Sequence, residues 1–141
     1  MKPTRIIIHH SLTEDSKTLS WQAIRRYHKE TNGWKDIGYH YGIELVNDEY
    51  EILTGRMLNV PGAHTVGQNH DSIGVCVVGN FDNKIPPKDQ WNMAVKLCKA
   101  LCNLLNIPVS QIFAHRDFAK KSCPGKMFDM DKFRHDVFNE V

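Results

Sequence analysis

Residues 5–11 read RIIIHHS, three isoleucines that run directly into two histidines. A short apolar run of this kind is typical of a buried β-strand, and it predicts a strand over residues 4–9. Two titratable rings are unusual at the end of such a strand, because burial disfavours their charged form. The run therefore predicts an internal strand and raises the question of which ring has a chemical role.

The rest of the chain predicts a single α/β domain over residues 1–141, with a central mixed β-sheet flanked by helices. The element order is β-α-β-β-β-α-β-α, without repeats or linkers. The individual elements are a helix from Ser20 to about Gly33, a hairpin turning at Asn47-Asp48, a central strand in SIGVCVVG, a long helix in PPKDQWNMAVKLCKALCNLLN, a short strand in QIFAH and a final helix marked by Met130, Phe133 and Val137.

Charge and hydropathy exclude several classes of function. The net charge is +2, from 18 basic and 16 acidic residues, so the dense basic face of a nucleic-acid-binding protein is not expected. No apolar run is long enough to span a membrane, and the N-terminal apolar run is too short for a signal peptide. We therefore expect a protein that is cytoplasmic as synthesised and, by default, monomeric.

The four cysteines divide into two kinds. Cys76 lies in an apolar strand, and Cys98 and Cys102 share an apolar helix face, so we predict these three to be reduced core residues. Cys123 lies in the polar, basic loop KKSCPGK, without apolar neighbours to bury it. Cys123 is therefore the cysteine most available for chemistry.

Three metal-ligand side chains fall where strand ends meet. His9 follows the first strand, His115 follows the last, and Cys123 comes eight residues later. Two imidazoles and a thiolate suit zinc, and catalytic zinc sites have three protein ligands. The residues alone leave two interpretations open, since His9 and His115 could instead be hydrogen-bonded strand-end histidines beside an incidental thiol.

Four sequence blocks follow one another between about residue 5 and residue 125: IIIHHS, WKDIGYHYGIE, GAHTVGQNHDSIGVCVVGNFD and FAHRDFAKKSCPG. In that order they resemble the blocks of the zinc-dependent N-acetylmuramoyl-L-alanine amidases. This type-2 amidase family includes short phage lysozymes, to which the likeness is greatest, and animal peptidoglycan recognition proteins.

The resemblance assigns roles residue by residue. It implies that His9, His115 and Cys123 bind zinc. Strand alternation places His10 on the opposite face of its strand from His9, so we predict that it is packed or hydrogen-bonded against a helix. The resemblance also implies that Tyr39 and Lys121 are catalytic and that His64 and Asn69 line the peptide groove. Wall-binding family members that lack activity lack the cysteine ligand, so Cys123 favours an enzyme. The assignments of Trp34, His40 and His70 stay open between groove and scaffold.

The implied activity is zinc-dependent hydrolysis of the amide bond between N-acetylmuramic acid and L-alanine in peptidoglycan. Zinc and Lys121 are expected to lower the pKa of Tyr39, and Glu44 is a second candidate for the general base. The alternatives are a non-catalytic peptidoglycan-binding module, a regulatory protein that binds a phage RNA polymerase, and a glycosidase, which would need a pair of carboxylates. Without an export signal, a phage or prophage endolysin released through a separate pore protein fits the expected localisation.

Overall fold

The computed structural model describes residues 1–13 and 20–141. It contains five strands and three α-helices in the predicted order, with two short 3-10 helices on either side of the last strand. The elements are β1 (Arg5–His10), α1 (Trp21–Glu30), β2 (Tyr41–Val46), β3 (Glu49–Thr54), β4 (Ser72–Val77), α2 (Lys88–Leu105), β5 (Ile112–Ala114) and α3 (Met130–Asn139). No helix among the described residues is long and apolar enough to cross a membrane.

The strands form one mixed sheet in the order β3-β2-β4-β1-β5. Strands β2 and β3 are an antiparallel hairpin, and the other pairs are parallel. Asn47 and Asp48 make the hairpin turn with positive φ angles of 49° and 71°, which asparagine and aspartate tolerate better than most residues. The mixed sheet and the central position of β4 confirm the predicted fold.

Helices cover both faces of the sheet, which explains the apolar run in β1. Ile6 and Ile8 belong to the main core, formed with α2 and α3. On the opposite face, Trp21 of α1 packs with Ile37, Cys76 and Val78 in a smaller cluster. A parallel strand buried on both faces has no solvent-facing position, so apolar residues replace the usual polar–apolar alternation.

The register of the parallel strands brings the predicted ligands to one edge. His9 pairs with Cys76 of β4, and β5, on the other side of β1, ends at Ala114, one residue before His115. The carboxyl ends of parallel strands are where α/β sheets bind ligands. His9 and His115 therefore meet at the edge of the sheet where the sequence predicted a site.

His10 lies on the opposite face of β1 from His9, as strand alternation predicts. Its partner is the segment after β4 and not a helix: Nδ1 accepts a hydrogen bond from the backbone N–H of Phe81 at 3.2 Å, and the two rings lie 6.1 Å apart. The predicted contact with a helix is therefore wrong, because the segment that follows β4 supplies both the hydrogen-bond donor and the ring beside His10.

We expect Gly42→Ala to destabilise the fold, because β2 has no room for a side chain at this position. A Cβ atom would lie 2.3 Å from Cζ3 of Trp21. Overpacking of this kind costs about 1–3 kcal/mol of unfolding free energy, which urea denaturation would measure. In the Trp21→Leu background the same substitution should cost less. Equal costs in both backgrounds would show that the indole ring is not the obstacle.

Candidate zinc and amidase site

His9, His115 and Cys123 come together at the carboxyl edge of the sheet. One ligand atom from each lies within 4.8 Å of the other two, and Sγ of Cys123 is 3.8 Å from Nδ1 of His9. Tetrahedral zinc, with Zn–N bonds of about 2.0 Å and Zn–S bonds of about 2.3 Å, would separate such a pair of atoms by about 3.6 Å. The donor set and the spacing of this sulfur–nitrogen pair fit one zinc ion.

Cys123 is only 9% exposed, so the expectation of an unburied thiol is wrong. The reason is that Arg116 folds the loop back onto the end of β1. Its backbone N–H donates to the Cys123 carbonyl at 2.8 Å, and its guanidinium donates to the carbonyl oxygens of Ser122, Gly125 and Phe128. A polar loop thereby buries its cysteine through hydrogen bonds that connect residues up to twelve positions apart.

The electrostatics of the three ligands favour uncharged imidazoles and a protonated thiol. Burial lowers the pKa of His9 well below its usual value, with further lowering by His64 and His115. Burial and the nearby Lys121 ammonium lower the pKa of His115. Burial raises the pKa of Cys123 to about 11, although the His10 N–H and Lys121 act in the opposite direction. The histidines are therefore ready to bind a cation, whereas Cys123 must first lose a proton.

Tyr39 packs beside the ligands, with its ring centroid 5.2 Å from that of His9. Burial, followed by the thiols of Cys76 and Cys123, raises the pKa of Tyr39 well above its usual value. The protein groups therefore act on this pKa in the opposite direction to the lowering expected from zinc and Lys121. Within the protein's own field, Tyr39 is a neutral phenol that retains its proton.

Lys121 lies on the wall of the same cleft, which has a volume of about 500 Å³. Its side chain is exposed, and its charge acts on the pKa of all three candidate ligands. The other residues that line the cleft are His9, His10, Leu12, His28, Trp34, Tyr39, Ala63, His64, Asp82, His115, Ser122 and Cys123. The predicted catalytic and metal residues thus share one cavity.

The two predicted groove residues are placed differently. His64 lines the cleft but is buried, and its Nδ1 lies 2.9 Å from Nε2 of His9. Burial and His40 lower the pKa of His64 to about 3, so the ring is neutral. Asn69 does not line the cleft: its Oδ1 accepts hydrogen bonds from the backbone N–H groups of His64 and Thr65, each at 3.0 Å.

The remaining candidates lie outside the reacting centre. Glu44 accepts a hydrogen bond from the backbone N–H of Trp21 at the start of α1 and does not line the cleft. His40 is a fully buried scaffold residue, with Nδ1 accepting from the Gly74 N–H and Nε2 2.8 Å from the Val60 carbonyl. His70 is 72% exposed beside Asp71.

Comparison with known families identifies the family to which the chain belongs. The sequence profile of the N-acetylmuramoyl-L-alanine amidases matches residues 1–126. The chain belongs to this family. The predicted resemblance is confirmed, and the function of this amidase is hydrolysis of the peptidoglycan amide bond.

Relatives and solved structures agree with the family. The amidase is 35% identical over 133 residues to the endolysin of Enterobacteria phage T3, covering 91% of this chain and 83% of the relative. It superposes on the amidase LysC from Clostridium intestinale URNW with a TM-score of 0.86 and 28% identity, covering 99% and 87% of the two chains. It superposes on Drosophila PGRP-LB with a TM-score of 0.78 and 31% identity, covering 90% of this chain and 78% of the PGRP-LB chain.

Several cleft residues of the amidase were not predicted as site residues. His28 of α1 stands 5.7 Å from Tyr39 and 4.8 Å from Trp34, measured between ring centroids. Asp82 accepts hydrogen bonds from the Ser122 hydroxyl and the Lys126 N–H. His28 lies on the apolar face of a predicted helix, and this pattern does not indicate that the side chain lines a cleft. The side-chain contacts that place Asp82 in the cleft come from residues 40 and 44 positions away, which a sequence motif does not reveal.

Proposed function

We propose that His9, His115 and Cys123 hold a zinc ion with which this amidase cleaves the bond between N-acetylmuramic acid and L-alanine. The observation that carries the proposal is the convergence of two neutral imidazoles and a thiol in one cleft. Three protein ligands leave a fourth position for water or substrate, as in catalytic zinc sites. When bound, zinc would polarise the substrate carbonyl and lower the pKa of a bound water.

In this proposal, Lys121 and Tyr39 act on the two charges that the reaction creates. The Lys121 ammonium stabilises the oxyanion formed when the amide carbonyl is attacked. The leaving nitrogen needs a proton, and Tyr39 is the neutral phenol beside the ligands that can donate one. The attacking water loses a proton in the same reaction, and this proton would restore the phenol. Asn69 contributes indirectly, because it fixes the backbone of the loop that carries His64.

We expect Lys121→Ala to lower kcat by about 10²–10³-fold, the usual cost of losing one oxyanion-stabilising group. Zinc content should be unchanged, since the ammonium is not a ligand. Lys120→Ala is the matched control, because Lys120 is exposed and does not line the cleft. Equal kcat values for the two variants would show that Lys121 is an ordinary surface lysine without a role in catalysis.

The experiment that tests the proposed function is a digest of purified peptidoglycan with and without a metal chelator. New L-alanine amino termini and new reducing sugar ends would be counted in the same samples. Amino termini that appear without reducing ends, disappear on chelation and return with added zinc would support the proposal. Release that continues at full rate after chelation would refute the zinc dependence.

The same digest tests the alternatives. New reducing ends would indicate a glycosidase, but Asp82 is the single carboxylate lining the cleft among the described residues, whereas glycosidases use a pair. Binding to peptidoglycan without release of peptide would indicate a wall-binding module. Cys123 in the proposed ligand set favours the enzyme over the wall-binding module.

We also propose that the amidase works as an endolysin, made in the cytoplasm and released to the wall through a separate pore protein. Similarity to endolysins of several phages supports this role. Four statements stay predictions from the sequence. They are that the protein is a monomer, that it does not bind nucleic acid, that it can bind a phage RNA polymerase, and that one domain covers residues 1–141.

A further inference from the structure

The two ring nitrogens of His9 face different partners. Nδ1 is 3.8 Å from Sγ of Cys123, on the side where the ligand atoms converge. Nε2 is 2.9 Å from Nδ1 of His64, and the two rings meet edge to face at a centroid distance of 4.9 Å. A metal at the candidate site therefore meets Nδ1, and Nε2 is left to His64.

The ring of His64 is held in a close-fitting slot. A Cβ atom on Gly74 would lie 2.6 Å from both Cγ and Cδ2 of His64, and a Cβ atom on Gly62 would lie 2.6 Å from the same Cδ2. Only glycine at these two positions leaves room for the imidazole. Asn69 fixes the backbone of the same residue through its N–H. The ring orientation is therefore determined by packing as well as by hydrogen bonds.

The hydrogen bonds then determine where each proton lies. Nε2 of His64 is 3.4 Å from the Ser72 carbonyl oxygen, which can only accept, so this nitrogen carries the proton. Nδ1 of the neutral ring is then an acceptor and receives the Nε2–H of His9. The Thr65 hydroxyl oxygen lies 2.9 Å from Nδ1 of His64 and 3.3 Å from Nε2 of His9. Nδ1 has one lone pair, so this arrangement requires the Thr65 hydrogen to point away from it, which hydroxyl rotation allows, and the oxygen can then also accept from the Nε2–H of His9.

We propose that His64 is a positioning residue that fixes the orientation and the Nε2–H tautomer of His9, so that Nδ1 faces the metal. The inference rests on the proposed zinc site and changes the predicted role of His64 from a groove contact to a support of a ligand. Supporting hydrogen bonds of this kind typically raise metal affinity, and losing one costs about 10–100-fold.

The direct test is the protonation pattern of the histidines in the zinc-loaded protein. Long-range ¹H–¹⁵N NMR spectra distinguish imidazoles protonated at Nε2 from those protonated at Nδ1. We expect both His9 and His64 to carry the proton on Nε2. A His9 ring protonated at Nδ1 and bound through Nε2 would overturn the proposal, and this measurement needs no variant that must fold.

The second test compares zinc affinities measured by competition with a chelating indicator, without substrate. His64→Leu removes the acceptor, and we expect about 10–100-fold weaker zinc binding. His64→Asn places an amide oxygen near the position of Nδ1 and should recover part of the affinity. His70→Leu is the control, because His70 is an exposed histidine away from the ligands. Thermal unfolding of each variant separates a loss of affinity from a loss of fold.

The outcomes separate this proposal from the proposed function. Suppose that His64→Leu binds zinc within about threefold of the parent affinity, which is below the usual effect of such residues, and that its KM is raised. This result would overturn the positioning role and return His64 to the substrate groove. A parent protein that binds no zinc would instead overturn the proposed cofactor. A parent that binds zinc and cleaves peptidoglycan, with a His64→Leu variant that binds zinc weakly, supports both.

Discussion

Cys123→Ser should lose its zinc and, with it, amidase activity by on the order of 10³-fold or more, the equivalent of several kcal/mol of transition-state stabilisation. The thiol is buried beside Nδ1 of His9, where a thiolate would complete a three-ligand site. A serine hydroxyl is a much poorer zinc ligand because it does not ionise near neutral pH. Zinc per chain, measured after dialysis, and the release of L-alanine amino termini would be followed together.

The control for this substitution is Cys102→Ala. Cys102 is buried in the main core on α2, so its replacement removes a cysteine without touching the cleft. Zinc content and activity should stay at the parent level, and thermal unfolding would show that both variants fold. Full zinc occupancy in Cys123→Ser would remove Cys123 from the ligand set, whatever happened to the activity.

The sequence predicted the part of the site that depends on strand periodicity. The isoleucine run places His9 at the end of β1, and strand alternation sends His10 to the other face, as observed. The meeting of His9 with His115 also follows from sequence, because parallel strands end at a common edge. These features depend on local pattern and on sheet topology.

The rest of the site depends on contacts between distant residues. The burial of Cys123 requires Arg116 to bond three carbonyl oxygens of the same loop, and a polar sequence gives no sign of that. Asn69 was predicted from the family resemblance to line the groove. A shared motif indicates that asparagine is needed at this position. It does not show whether the side-chain amide contacts a ligand or the backbone of a neighbouring loop residue. Here Oδ1 faces the backbone.

Tyr39→Phe should retain zinc and lose most of its turnover, by about 10²–10⁴-fold in kcat, the range for losing a positioned proton donor. The ring would stay in place, because its packing against Trp21 and His28 does not involve the hydroxyl. What is lost is the O–H group of a ring that lines the cleft beside His9, together with its hydrogen bond to the Cys76 side chain. Since burial and the thiols of Cys76 and Cys123 keep the pKa of Tyr39 high, the parent residue carries its proton and is not an anionic base.

Tyr41→Phe is the matched control, because Tyr41 lies two residues away and packs against the core on the other face of the sheet. It should keep kcat and zinc at the parent level. Steady-state kinetics on a soluble muramyl peptide would separate kcat from KM: an unchanged KM with a reduced kcat indicates an interaction made only in the transition state. Near-normal turnover in Tyr39→Phe would exclude the hydroxyl from the mechanism. The proton for the leaving nitrogen would then have to come from another donor, such as water or the Lys121 ammonium.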